Sequence, residues 1–336
     1  MKKVLVTGGT GFLGAYLLRE LLQKGYQVRA IRREASPMHL VESIQHQVEW
    51  VIGDMLDLSS VEDAMEGIEK VYHAAAIVSF NPKDAERMIH TNTEGTANIV
   101  NTALSMGIKK MLHVSSIAAL GRKENQSQMD ESTQWENSSH NSSYAISKFK
   151  AECEVWRGVE EGLNATIINP SMIMGPGFWH NGTPKMFTQV NKGLRFCPKG
   201  ANGFVDVRDV AKIAVQLTES EISGERFIVN SENLSYKSLF TQMAKALGKQ
   251  PPRIIMPDWG VSILWRLDKL RSRMLGVEPL ITKEIASSLQ LVSEYDNQKI
   301  IKALDYQFLP MSQTISETAT LFKSSKASGV GFAIAE

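Results

Sequence analysis

Three side chains carry the chemistry that this sequence offers: Ser116, Tyr144 and Lys148. Tyr144 and Lys148 stand four apart in a stretch, 142–161, that reads as a helix, so they share one face. A free phenol has a pKa of about 10. An ammonium on the same face favours the phenolate and lowers that value. The expectation is a phenol that exchanges a proton with a substrate oxygen near neutral pH. Ser116 follows a strand expected over 110–115 and can donate a hydrogen bond to the same oxygen as charge develops on it. Lys148 can also hold a cofactor ribose. A proton donor, an oxyanion partner and a tuning cation beside a nicotinamide are what carbonyl reduction by hydride transfer requires. A Tyr-x-x-x-Lys pair alone is weak, because any amphipathic helix can show one. Its bland alternative is a solvated lysine one turn from a half-buried tyrosine. The order of the elements along the chain decides for the chemical reading.

The first of those elements is residues 4–14, VLVTGGTGFLG. A short aliphatic run, expected as a buried strand, turns through glycines into an amphipathic helix. Gly8 permits the tight turn, Gly11 lets the backbone approach a pyrophosphate, and Gly14 lets helix pack on strand. The free N–H groups of the helix start then face phosphate. The strand before and the helix after supply the context that a lone glycine triplet lacks.

Further βα units follow. A second strand over 26–31 ends at Arg32 and Arg33, which offer a fork for a ribose 2′-phosphate or are two solvated surface arginines. NAD-selective proteins hold the 2′-hydroxyl with an acidic residue near this place, and Glu34 follows, so NADP(H) is preferred and NAD(H) possible. A third strand over 48–52 delivers Asp54, which either accepts from an adenine amino group or caps a turn. A fourth, 71–76, runs into small residues that leave room for a cofactor, with His73 inside it as a satisfied core histidine. A long helix over 84–106 carries Asn92 amid Thr91, Thr93 and Gly95, a polar cluster unusual on a helix facing a sheet. Residues 121–139 read as a long polar surface loop, and a sixth strand over 165–169 ends at Pro170 and Ser171. The repeat predicts an α/β fold, a Rossmann-type doubly wound parallel sheet.

Beyond Pro170 the pattern loosens. Residues 204–207 and 226–229 read as strands and 209–219 as a helix returning to the main sheet. Residues 236–247, 259–275, 282–292, 297–304 and 312–322 read as helices, and the end of the chain as a loose tail. The division is then 1–170, with 204–230 returning to it, as a nucleotide-binding domain. Residues 171–203 and 231–322 form a smaller, mostly helical substrate domain, with 323–336 as the tail. The helix over 259–275 interleaves Leu264, Trp265, Leu267 and Leu270 with Arg266, Lys269, Arg271 and Arg273. It either touches a membrane surface or packs on the small domain with its charges solvated.

Composition bounds the reading. The chain has 336 residues, 43% hydrophobic and 22% charged, with net charge +1. That suits a globular protein of one large or two interlocked domains and gives no field that favours nucleic acid. Cys153 and Cys197 read as reduced thiols of a cytoplasmic protein. The apolar run after Met1 is too short for a signal peptide, and no run suffices for a membrane span.

As a set, the motifs resemble the extended short-chain dehydrogenase/reductase superfamily, also described as the NAD-dependent epimerase/dehydratase family. The resemblance rests on TGGTGFLG at 7–14, GD at 53–54, HAAA at 73–76, NTEGTAN at 92–98, VSS at 114–116, YAISK at 144–148, NPSMIMGPG at 169–177 and FVDVRDVA at 204–211. It covers roughly residues 1–310. It implies a catalytic Ser116, Tyr144 and Lys148. It implies cofactor contacts from Gly8, Thr10, Gly11, Phe12, Leu13 and Gly14, from Arg32, Arg33, Asp54 and Met55, and from Ala74, Ala75, Ala76 and Asn92. Tyr144, Lys148, Pro170, Ser171 and Ile173 complete that set, and no metal is implied. Within the superfamily, VRAIRRE at 28–34 is similar to the dihydroflavonol-reductase and 3β-hydroxysteroid-dehydrogenase-like branch, where the arginine matching Arg33 lies near the NADP phosphate. The sugar-nucleotide epimerase or dehydratase branch, with tightly bound NAD, is the rival. Against it, Asn202-Gly203 stands where that branch shows an Arg-Asp pair, and Ile117-Ala118 follows Ser116 instead of an Asp-Glu pair. A non-catalytic NADP(H)-sensing protein is a third reading, against which the intact catalytic set speaks. Met172, Phe178, Trp179, Phe187 and Phe204 fall where the family builds its cleft. They line a pocket for a fairly apolar small-molecule substrate or form the ordinary core of the small domain. A homodimer through the helices over 84–106 and 142–161 is the expectation from the family.

Overall fold

The computed structural model describes residues 2–121, 128–138, 141–275 and 282–335. Its first half is a run of buried strands and covering helices. Strand β1 (Lys3–Thr7) leads into α1 (Phe12–Gln23), then β2 (Gln27–Arg32), β3 (Val48–Ile52), α2 (Leu58–Met65) and β4 (Lys70–His73). Helix α3 (Ala85–Ser105), β5 (Lys110–Val114), a short β6 (Gln128–Met129), α4 (Ser143–Glu160) and β7 (Ala165–Pro170) follow. The second half holds β8 (Met172–Met174), α5 (Lys185–Asn191), β9 (Phe196–Cys197), β10 (Ala201–Asp206), α6 (Val207–Glu219), β11 (Glu225–Val229) and β12 (Glu232–Ser235). It ends with α7 (Tyr236–Leu247), β13 (Ile254–Ile255), α8 (Asp258–Leu275), α9 (Lys283–Ser288), β14 (Glu294–Tyr295), α10 (Gln298–Leu304) and α11 (Met311–Ala327).

Seven strands form one sheet in the order β11-β7-β5-β4-β1-β2-β3, and every pairing is parallel. This is the doubly wound arrangement expected from the βα repeat. Strand order reverses between β1 and β4, where such folds bind ligands beyond the carboxyl ends of the strands. Sheets covered on both faces need strands that are apolar throughout, and Val4, Leu5 and Val6 of β1 are fully buried. One face packs against α1 and α6 through Leu17, Leu18, Leu21, Val210, Ile213 and Leu217. The other packs against α2, α3 and α4 through Val61, Met65, Ile99, Val100, Ala103 and Val155.

A second core gathers Trp179, Phe187, Phe204, Tyr236, Leu239, Phe240, Met243, Met311 and Phe322. It stands over a small sheet in which β10 runs parallel to β8 and antiparallel to β12. The short strands β6, β8, β9, β12, β13 and β14 escape a sequence reading because two to four residues carry too little periodicity. The helix expected over 282–292 stops at Ser288. Of the polar loop expected over 121–139, residues 122–127 and 139 lie outside the described residues. Its remainder is anchored: β6 pairs with β14, and Trp135 stacks on Phe149 with ring centroids 4.3 Å apart.

The tail expected to be loose from 323 onward is instead docked. Helix α11 runs to Ala327, and the chain then returns to pack beside α1 and the segment after β8. Ala333 N–H donates to Gly177 O, Trp179 N–H donates to Gly331 O, and Phe332 packs on His39 and Phe178. The Tyr16 hydroxyl accepts from Ala335 N–H and donates to Pro176 O, both at 3.0 Å. Small residues misled the sequence reading: the backbone does the binding here, and composition does not report it.

Candidate active site

The turn between β1 and α1 is fixed by contact distances. Gly8 sits at φ +75°, and a Cβ there would lie 2.7 Å from Ala75 N. At Gly14 a Cβ would lie 2.0 Å from Gly8 O. No side chain but hydrogen is tolerated at either place. Helices α2, α4, α6 and α7 each begin with an Asp or Ser whose side chain accepts a first-turn N–H. Helix α1, like α3, α5, α10 and α11, begins without a side-chain cap, and its cap residue, Gly11, is exposed. The first-turn N–H groups of α1 therefore have no side-chain acceptor from the cap position, which suits a phosphate.

The strand β4 that approaches this turn is held by a directional chain of hydrogen bonds. Thr96 Oγ1 donates to Asn92 O at 2.7 Å, so its lone pairs face His73 Nε2 at 3.0 Å. His73 Nε2 carries the proton and Nδ1 accepts from Thr7 Oγ1 at 2.8 Å. Thr7 Oγ1 in turn accepts from Ala75 N–H at 3.1 Å. Burial holds the His73 imidazole down to about 3, so it stays neutral, as the chain requires. His73 is a core histidine, as the sequence indicates.

Ser116 stands at the carboxyl end of β5, and its hydroxyl accepts from Ala118 N–H. Tyr144 and Lys148 are presented by α4, and the Ser116 hydroxyl lies near enough to the Tyr144 phenol to favour its charged form. The structure thus brings this expected pair together. It departs from the expected tuning. Burial raises the Tyr144 phenol above its ordinary value, and only the nearby Ser116 hydroxyl opposes this. The ammonium of Lys148 is turned to Val114 O at 2.8 Å, and burial brings it down to about 8. The phenol is held protonated, the form that donates a proton.

Asn92 is expected among the cofactor contacts, but its amide is used inside the protein. It accepts from Ile77 N–H at 2.7 Å and donates to Ile77 O and to Ser147 Oγ. Ser147 Oγ donates to Tyr144 O. Asn92 therefore staples the loop after β4 to the turn of α4 that carries Tyr144, and it is a positioning residue.

Two neighbours escaped the sequence reading. Phe80, in the loop after β4, lies with its ring centroid 5.6 Å from that of Tyr144. No pattern marks an aromatic in a loop. Glu152 lies one turn past Lys148 and is 2% exposed. Its Oε2 accepts from Ser115 Oγ at 2.6 Å and Asn169 Nδ2 at 2.8 Å, and its Oε1 from Arg226 at 3.2 Å and Trp156 at 3.3 Å. Arg226 also donates to the carbonyls of Glu131 and Thr133. The spacing of 144, 148 and 152 along one helical face is the signal that would have found Glu152.

The remaining expected cofactor residues ring the same edge. Thr10, Phe12 and Leu13 are half-buried at the turn, as are Ala74, Ala75 and Ala76 beyond β4. Arg32 bends back to donate to the carbonyls of Arg33 and Glu34, while its Nε is buried without a partner. Arg33 is exposed. Asp54 Oδ1 accepts from Leu56 N–H, a turn contact. Met55 fills the notch at Gly95, where a Cβ would lie 2.2 Å from its Cε. Pro170 is buried, Ile173 half-buried, and the Ser171 hydroxyl is buried with no partner. The open α1 terminus, the unpartnered Arg32 Nε and the unpartnered Ser171 hydroxyl fit a dinucleotide laid across this edge.

The aromatic pocket is corrected. Trp179, Phe187 and Phe204 are core residues: Trp179 donates to Ser325 Oγ and packs edge-on against Phe322, and Phe187 and Phe204 are fully buried. Phe178 is committed to the docked tail. Met172 alone is half-buried beside a polar group, with its sulfur 3.7 Å from the Tyr236 hydroxyl. A small domain needs its aromatics to fill its own core.

The family described as "NAD dependent epimerase/dehydratase family" matches residues 4–230. The chain is 31% identical to a putative dihydroflavonol 4-reductase of Synechocystis sp., over 95% of this chain and 94% of that one. It is 32% identical to sterol demethylase protein B of Methylococcus capsulatus, over 75% of this chain and 77% of that one. The crystal structure of gox2253 superposes with a TM-score of 0.82 at 29% identity, covering 96% of this chain and 98% of that one.

Proposed function

The chain belongs to the NAD dependent epimerase/dehydratase family and is an NAD(P)-dependent oxidoreductase; we propose that it uses NADP(H) to reduce a ketone or aldehyde on a mid-sized, fairly apolar organic molecule. The observation that carries this reading is the placement of Tyr144 beside Ser116 at the carboxyl edge of the sheet, with Lys148 buried one turn along the same helix.

A dinucleotide held at this edge would supply the hydride. Everything else falls to the chain. The α1 terminus at Gly11 would hold the pyrophosphate, and Arg33, exposed just past β2, would meet the 2′-phosphate. Ser171, its hydroxyl buried without a partner, would hold the nicotinamide side. Tyr144 gives its phenolic proton to the substrate oxygen, and Ser116 donates to the oxygen that carries the developing charge. Lys148 remains mostly cationic at pH 7, since its pKa is about 8, and its charge offsets the phenolate left on Tyr144. Half-buried Phe80, and exposed Val78 on the same loop, suit an apolar substrate body beside Tyr144.

A titration of NADPH against NADH tests the dinucleotide. The reading expects tighter NADPH binding, with the preference lost in Arg33→Ser. Equal binding of the two, or NAD that stays with the protein through purification, would favour the epimerase chemistry instead.

A further inference from the structure

Helix α8 is set into the molecule the wrong way round for a core helix. Trp259, Ile263, Leu267, Leu270 and Met274 fall within an arc of about 80° at 3.6 residues per turn. All five face solvent, between 49% and 76% exposed. The opposite side carries Val261 and Asp268, each 9% exposed, and that is the side turned to the protein. An amphipathic helix on a globular body normally buries its apolar stripe. Here the stripe of large side chains is presented outward along a helix of 18 residues, about 27 Å. The exposed Ile254 and Ile255 of β13 directly precede it.

The charges beside the stripe identify what covers it. Arg266, Lys269 and Arg273 are exposed and lie along one flank. The acidic Asp268 lies on the inward side, hydrogen-bonded to Arg271 at 2.8 Å. The outward half is thus apolar with a cationic border, with no acidic side chain among its described residues. A second copy of the helix would bring like charges together. An anionic lipid surface satisfies both features: the apolar stripe enters the headgroup boundary, and the cations meet lipid phosphates. No helix among the described residues is long and apolar enough to cross a membrane, so the geometry is that of a helix lying in the surface plane.

We propose that α8 docks this protein on anionic membranes through Trp259, Ile263, Leu267, Leu270 and Met274, flanked by Arg266, Lys269 and Arg273. The proposal is independent of the reaction assigned above.

The test is co-sedimentation of the full chain with vesicles of phosphatidylcholine alone or mixed with phosphatidylglycerol. Binding to the mixed vesicles is expected, weakening as salt is raised. Leu267→Asp/Leu270→Asp should lose about tenfold or more in affinity, since two apolar side chains no longer enter the boundary. Lys269→Glu/Arg273→Glu should lose the preference for anionic lipid. Circular dichroism and thermal melting establish that the variants fold. Failure of the wild-type chain to sediment with anionic vesicles overturns the proposal, as does equal binding by the folded variants. Loss of a dimer in Leu267→Asp/Leu270→Asp, without vesicle binding by the wild type, would assign the stripe to a second copy of this chain.

Discussion

Replacing Glu152 by Gln isolates one carboxylate that reaches four parts of the site. Its oxygens accept from Ser115, Asn169, Arg226 and Trp156 within 2.6–3.3 Å. Gln keeps the shape but turns one oxygen into a donor. Pointed at Ser115 and Asn169, the new N–H₂ confronts the Asn169 amide; pointed the other way, it confronts the Arg226 guanidinium. Removing one partner of a buried ion pair costs about 3–5 kcal/mol. Arg226 retains carbonyl bonds to Glu131 and Thr133, so the lower end, about 3 kcal/mol, applies here. At roughly 2 °C per kcal/mol for a chain of this size, the melting temperature should fall by about 6 °C. A kinetic signature separates this from a purely structural role. Glu152 supports the charge on Lys148. Carbonyl reduction by the wild type should decline as pH rises past about 8, because Lys148 loses its proton there. Without the neighbouring carboxylate the cation is disfavoured further, so in Glu152→Gln the basic limb moves to lower pH. Thermal melting and a pH–rate profile read both effects. An unchanged melting temperature with an unmoved basic limb would refute the reasoning.

Asn92→Ala should destabilise by about 1–3 kcal/mol, because it strands the buried polar groups of Ile77 and Ser147. It should also raise the KM for dinucleotide as the loop after β4 loosens, which steady-state kinetics and a melt would check together. Tyr16→Phe should cost about 1–3 kcal/mol by orphaning Ala335 N–H and Pro176 O. Hydrogen exchange across residues 331–335 should speed up in the variant; fast exchange already in the wild type would contradict a docked tail.

Much of this architecture is legible in the residues. The glycine turn, the apolar strands and the Tyr144–Lys148 spacing each obey a strict local rule, and the parallel sheet follows from their alternation. What is not legible is set by partners distant in sequence. The tail looks disordered because its binding is through backbone groups of Gly331, Ala333 and Ala335. Trp179, Phe187 and Phe204 look like a pocket because an apolar lining and an apolar core share one composition. The pKa direction at Tyr144 inverts the simple expectation because helix spacing brings two side chains to one face but does not aim their terminal atoms. Lys148 reaches Val114 O, and burial governs both groups.

The central claim is that Tyr144 is the proton donor in hydride transfer to a carbonyl. Its most direct test is single-turnover reduction by Tyr144→Phe with saturating NADPH across a panel of aryl ketones and aldehydes, beside a dinucleotide titration. The account predicts unchanged dinucleotide affinity and a rate lower by about 10²–10⁴-fold on substrates that the wild type reduces. A variant that reduces the same substrates at the wild-type rate would contradict it.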